Sequence, residues 1–190
     1  SVMMYAFFAV PFVVDASFIL HLWLKNVPQY TLIFCQLTVI QVLVEEFSSP
    51  LSTVINAVGR IKQCNIMNSL ILYIEILVIF LLFKISGEPS LFKVVCIVGA
   101  IVQLIFKIWY CKTYNDMPVF RYFKDVLFRC SLVIIVTLLI VETLKNIMLP
   151  GILRLVLIVV VSVFTFIVLF YFIALTKKEQ NIIKNVVKVK

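Results

Sequence analysis

Between positions 38 and 56 the sequence sets Thr38, Gln41, Glu45, Ser48, Ser49, Ser52 and Asn56 into an otherwise apolar run. Wound as an α-helix, at about 100° per residue, these side chains share an arc of roughly 100°. One stripe of hydrogen-bonding groups on an apolar helix has two uses. It lines a wet cavity, or it packs against neighbouring helices as interhelical glue. Glu46 lies off the stripe, so Glu45 is its acidic member. A second stripe of Asn65, Asn68, Ser69 and Glu75 covers roughly 120°. Gly99, Gln103 and Lys107 follow at i, i+4, i+8, and Asp15, Ser17 and His21 stand near Pro11. A carboxylate enclosed in an apolar medium is costly as a bare anion, so it takes up a proton or cation, or pairs with a Lys or Arg. On that ground Asp15, Glu45 and Glu75 are ion-coupling candidates, with a structural ion pair as the alternative for each. Gln41, Glu45, Ser52, Asn56, Asn68, Gln103 and Lys107 are the candidates for a substrate pathway. Lys107 either offers a cation to an anionic substrate or snorkels to the headgroups.

Other chemistries lack their residues. The single histidine, His21, excludes a His-pair metal site within the chain. The four glycines are scattered, so no phosphate-binding loop for ATP is encoded. No nucleophile–base–acid spacing stands out, and no potassium-type filter sequence is present. The expectation is a protein with no catalytic residues, metal or cofactor, acting as something other than an enzyme.

These stripes need long helices in an apolar solvent to hold them. Apolar types make up 64% of the 190 residues and charged types only 14%, against roughly a quarter in soluble domains. Mean hydropathy is +1.17. A hydrocarbon layer ~30 Å thick is crossed by roughly 20 helical residues. Apolar runs of about that length or more occupy 2–24, 28–58, 62–85, 91–114, 126–144 and 150–176, followed by a basic tail, 177–190. The expected fold is an all-α polytopic membrane protein of about six transmembrane helices. The runs do not alternate polar with apolar, which argues against a β-barrel. Val2 already lies in an apolar run, with no basic n-region or small-residue cleavage site, so the chain reads as starting in mid-protein. The five cysteines form no CxxC pair and are expected as free thiols packed like small hydrophobes.

The basic residues set the orientation. Gaps on one side hold Arg60, Lys62, Lys107, Lys112, Arg121, Lys124, Arg129, Lys177, Lys178, Lys184, Lys188 and Lys190, twelve of the 17. The other side has Lys25, Lys84, Lys93, Lys145 and Arg154. The positive-inside rule puts both ends of the chain in the cytoplasm. The formal charge of +8 is therefore a topology signal, and no basic face on a soluble domain exists for nucleic acid. Segment 117–129 reads as an amphipathic helix at the headgroups, with Phe120, Phe123 and Leu127 on one face. The tail can lie on the membrane in the same way.

Three helix junctions carry a family likeness. Trp23, Leu24, Pro28 and Tyr30 follow a pattern that resembles the "iL-x-x-WLg-x-vP-x-Y" junction of the Wzx-like polysaccharide-lipid flippases. These belong to the multidrug/oligosaccharidyl-lipid/polysaccharide superfamily. Pro50, then Ala57, Gly59, Arg60 and Lys62, is similar to that family's "p…A-x-G-k-I-k" turn. Gly87 and Pro89 resemble its "l-G-x-p" loop. Lys25-Asn26 stands where the family commonly has Gly, and the proline midway along the following helix is absent. The resemblance implies one lobe of a two-lobe transporter of twelve or fourteen helices, the N-terminal lobe being the missing partner. It implies alternating-access movement of undecaprenyl-pyrophosphate-linked oligosaccharide across the bacterial cytoplasmic membrane, driven by a cation gradient. Membrane lipid, the lipid-linked glycan and polysaccharide polymerase machinery are the partners it implies. Arg60 and Lys62 serve as headgroup anchors or as substrate contacts. The competing readings are a related exporter of cationic drugs or another lipid, and a polytopic component without transport activity.

Overall fold

The computed structural model describes residues 2–24, 26–59, 61–115 and 119–174. Within them the chain forms α1 (Val2–Val14), α2 (Ala16–Trp23), α3 (Thr31–Val58), α4 (Ile61–Ser86) and α5 (Ser90–Asn115). A short α6 (Val119–Tyr122) leads through a π-helical stretch, Phe123–Phe128, into α7 (Arg129–Ile147). The last span is α8 (Ile152–Leu169), which ends in a second π-helical stretch, Phe170–Ala174. Five helical segments are long and apolar enough to cross a membrane, and α1 with α2 makes a sixth if the bent pair is one span. The fold is that of an all-α, multi-pass membrane protein.

Glycine and proline set the junctions. Gly59 ends α3 with φ +80°, its N–H donating to Asn56 O at 3.2 Å. Gly87 ends α4 with φ +63°, donating to Phe83 O at 3.1 Å. Only a residue without Cβ adopts this left-handed geometry without steric cost, so both helices stop where glycine is encoded. The next helices start in matching ways. Pro28 O accepts from Thr31 N–H at 3.1 Å, and Pro89 O accepts from Phe92 N–H at 3.2 Å. Helix α3 continues through Pro50 despite the missing donor there.

The expected first span, 2–24, forms as two helices that break at Asp15 and bend by 79° there. Asp15 is the one acidic residue of that run, and its carboxylate is engaged by Arg154 rather than left on a continuous apolar helix. Over its described residues, 119–129, the expected amphipathic segment is helical and runs on into α7, with Phe120 and Phe123 exposed. Lys25, Arg60, Met117, Pro118 and the tail 177–190 lie outside the described residues.

Two compact units emerge. One comprises residues 1–5 and 16–119 and is organised by α5, which packs extensively on α3 and less on α4, while α3 and α4 touch little. Its core includes Phe47, Leu51, Ile55, Cys96, Ala100 and Cys111. The other comprises, among the described residues, 6–15 and 120–174, in which α7 packs on α8. Arg154, Ile158, Ser162 and Phe166 recur every fourth residue on the buried face of α8, and Phe166 meets Phe7 edge to face at 5.8 Å. Buried Thr137 donates to Val133 O at 2.7 Å, and Ser162 to Val159 O at 2.9 Å, so these hydroxyls are satisfied by their own helices. All five cysteines are free, with Cys64, Cys96 and Cys111 buried.

Candidate functional site

The α3 stripe meets α5 through two lysines. Lys107 is buried, 8% exposed, and its Nζ donates to Ser48 Oγ at 3.1 Å. Lys93 Nζ donates to Gln41 Oε1 at 3.3 Å, and Gln41 Nε2 donates to Glu45 Oε1 at 2.8 Å. Cys111 Sγ reaches Leu51 O at 4.0 Å. These partners rise together along both helices, so α3 and α5 run in the same direction. The 14 positions from Lys93 to Lys107 span about 21 Å of helix axis at 1.5 Å per residue. The stripe therefore carries one ammonium near the start of α5 and another well inside it. Lys107 thus turns onto the α3 stripe.

The remaining stripe residues divide by exposure. Glu45 and Asn56 are exposed, while Gln41, Ser52 and Thr38 are half-buried. Thr38 and Ser52 donate to their own helix, to Phe34 O at 2.6 Å and Ser48 O at 3.2 Å. Ser48 donates to Glu45 O at 2.8 Å while accepting Lys107. The stripe is thus packed at Ser48 and exposed at Glu45.

The α4 stripe also turns partly onto α5. Glu75 is half-buried, and a Cβ built on Gly99 would stand 2.5 Å from its Oε2. Gly99 is there because the carboxylate occupies the space a side chain would need. Between α4 and α5 lies a crevice of about 180 Å³, lined by six Ile and Val side chains together with Glu75 and Gly99. Asn68 is half-buried, its Nδ2 donating to Cys64 Sγ at 3.8 Å while Oδ1 is buried without a hydrogen-bond partner. Gln103 is half-buried on α5 between Gly99 and Lys107. Gln63, absent from the sequence candidates, accepts a hydrogen bond from Tyr110 OH at 3.1 Å and ties the start of α4 to the end of α5.

Asp15 takes the structural alternative. Its Oδ1 receives Arg154 Nη2 inside the second unit, with Asp15 only 1% exposed. Arg154, counted with the gap residues in setting the orientation, is the third residue of α8 and buried. Glu46 is the other residue passed over, because it lies off the α3 stripe; its Oε2 is buried without a hydrogen-bond partner. Of the family-like positions, Gly59, Gly87, Pro28 and Pro89 sit at helix junctions, whereas Trp23 and Lys62 are exposed. Among the described residues no group of three or more His, Cys, Asp or Glu is placed to hold a metal ion.

No family model, curated protein or solved structure matches this chain. The class is defined by the fold alone: a multi-pass helical membrane protein with a cationic, hydroxyl-bearing seam between two of its spans.

Proposed function

We propose that this chain is one lobe of a transporter that carries a lipid-linked, pyrophosphate-bearing oligosaccharide across the bacterial cytoplasmic membrane. One observation carries the reading: Lys107, a buried ammonium within a span, is held on the polar stripe of α3 by Ser48. An ionisable group kept inside a membrane helix bundle is expensive and commonly marks a substrate or ion path. A lysine in that position attracts a pyrophosphate and repels an organic cation. The competing drug-exporter reading calls instead for carboxylates where Lys93 and Lys107 stand. The junction patterns around Trp23, Gly59 and Gly87 support the same family. In this reading both ends of the chain are cytoplasmic, and a second lobe completes the cavity wall.

The test is translocation of a fluorescent undecaprenyl-pyrophosphate oligosaccharide by the full-length protein in liposomes, comparing wild type with Lys107→Met and Lys107→Arg. Loss of flipping with Met and its retention with Arg, at equal amounts of folded protein, supports the proposal. Undiminished flipping by Lys107→Met overturns the role of the seam. Failure of the wild-type protein to move this substrate overturns the function.

A further inference from the structure

We propose that Glu75 is a proton-binding site set into the contact between α4 and α5, and that it takes up a proton in preference to a metal cation. Its use in driving transport rests on the function proposed above, but the site is defined by its own surroundings. Apart from Glu75 and Gly99, the crevice is lined only by isoleucine and valine. Several of these, Ile74, Val98 and Val102 among them, are themselves exposed, so the crevice stays apolar out to its mouth. A carboxylate anion in such a place lacks the water or the counter-charge that would stabilise it.

Neither ion pair among the described residues includes Glu75. From α5, the Cys96 thiol lies beside the carboxylate, and Lys93 is drawn to Gln41 of α3. From α3, Glu45, another acid, acts on the same Cys96 thiol and is itself bonded to Gln41. Protonation removes the charge and leaves a neutral acid that the aliphatic walls tolerate.

The same walls disfavour a metal. Sodium, like other hard cations, requires several oxygen ligands. The lining side chains offer only the one carboxyl group. Gly99 adds the structural consequence. Because it has no side chain, the Glu75 carboxyl group fills the space beside the α5 backbone, with Cδ 2.9 Å from where a Cβ would stand. Ionisation of Glu75 therefore acts directly on the α4–α5 contact.

Dicyclohexylcarbodiimide, an apolar reagent that adds to protonated carboxyl groups, tests the site. The full chain in liposomes is labelled over a range of pH, with and without sodium, and the labelled peptide is identified by mass spectrometry. The expected result is labelling at Glu75 that is lost as pH rises, is unaffected by sodium, and is abolished by Glu75→Gln. Gly99→Ala, which pushes the carboxyl group off the α5 backbone, reduces it. Labelling of Glu45 or Glu46 in place of Glu75 overturns the assignment, as does labelling that ignores pH. Protection by sodium at constant pH overturns the choice of ion. The readout needs neither substrate nor gradient, so its failure is separable from failure of the transport reading.

Discussion

Asp15 and Arg154 meet as a buried ion pair although 139 positions separate them in sequence. The acid stands at the break between α1 and α2, and the base in the first turn of α8. Each is the condition for burying the other. A charge removed from water is tolerated only with a close counter-charge and hydrogen bonds.

Removing one member leaves the other uncompensated. Arg154→Leu alone, or Asp15→Leu alone, is expected to destabilise the protein by about 3–5 kcal/mol. Asp15→Leu with Arg154→Leu together should cost much less than either single change. Thermal unfolding in detergent, followed by tryptophan fluorescence or size exclusion, supplies the double-mutant cycle. Additive losses would show that the pair contributes no coupling.

Gly99 and Glu75 should be coupled in the opposite sense. A methyl group at position 99 clashes first with the Glu75 carboxyl group, the far end of a flexible side chain. Gly99→Ala should therefore lower stability by only about 1 kcal/mol or less, since the carboxyl group swings away and the helix gains a better helix former. In a Glu75→Ala background the clash is gone, so the same substitution should stabilise α5. A melting-temperature comparison of the four proteins gives the sign. An equal effect in both backgrounds would place the strain elsewhere.

The junction glycines separate in a way that φ alone predicts. Gly59 and Gly87 have φ of +80° and +63°, and nothing lies within 4 Å of an added Cβ. Their replacement by Ala should cost about 1–2 kcal/mol each through backbone strain, not through steric contact. Gly151 has φ of 176°, extended backbone that any residue adopts, and open space around it. Gly151→Ala should be close to neutral in the same unfolding assay.

The spans were legible because apolar run length is a local property, and Gly59 and Gly87 were placed at helix junctions by their motifs at the ends of those runs, while their positive φ came only with the structure. The bend at Asp15 was not. The partner that Asp15 finds there, Arg154, is distant in sequence and was counted among the gap cations. The α3 stripe was readable from angular position, including Ser48 and Gln41. Which of its members are covered was not, because that depends on where α5 lays Lys93 and Lys107. Glu75 and Gly99 each stood out on separate helices, yet their contact is purely tertiary. Glu46 was passed over because stripe membership says nothing about burial by other helices.

The seam between α3 and α5 yields the prediction closest to function. Ser48 Oγ bridges Glu45 O and Lys107 Nζ, so Ser48→Ala leaves a buried ammonium short of one acceptor. Losing a hydrogen bond to a charged group costs about 1.5–3 kcal/mol. Gln41→Ala at the more open end removes only a half-buried contact to Lys93 and should cost less. If the seam binds a pyrophosphate, that ligand can replace the missing acceptor. Added lipid-linked pyrophosphate should then raise the melting temperature of full-length Ser48→Ala by more than that of the wild type, through ligand-linked stabilisation. A lipid-linked oligosaccharide lacking the pyrophosphate should not do so. Equal shifts with both ligands, or no shift with either, would remove the seam from the substrate path and leave Lys107 as a structural lysine.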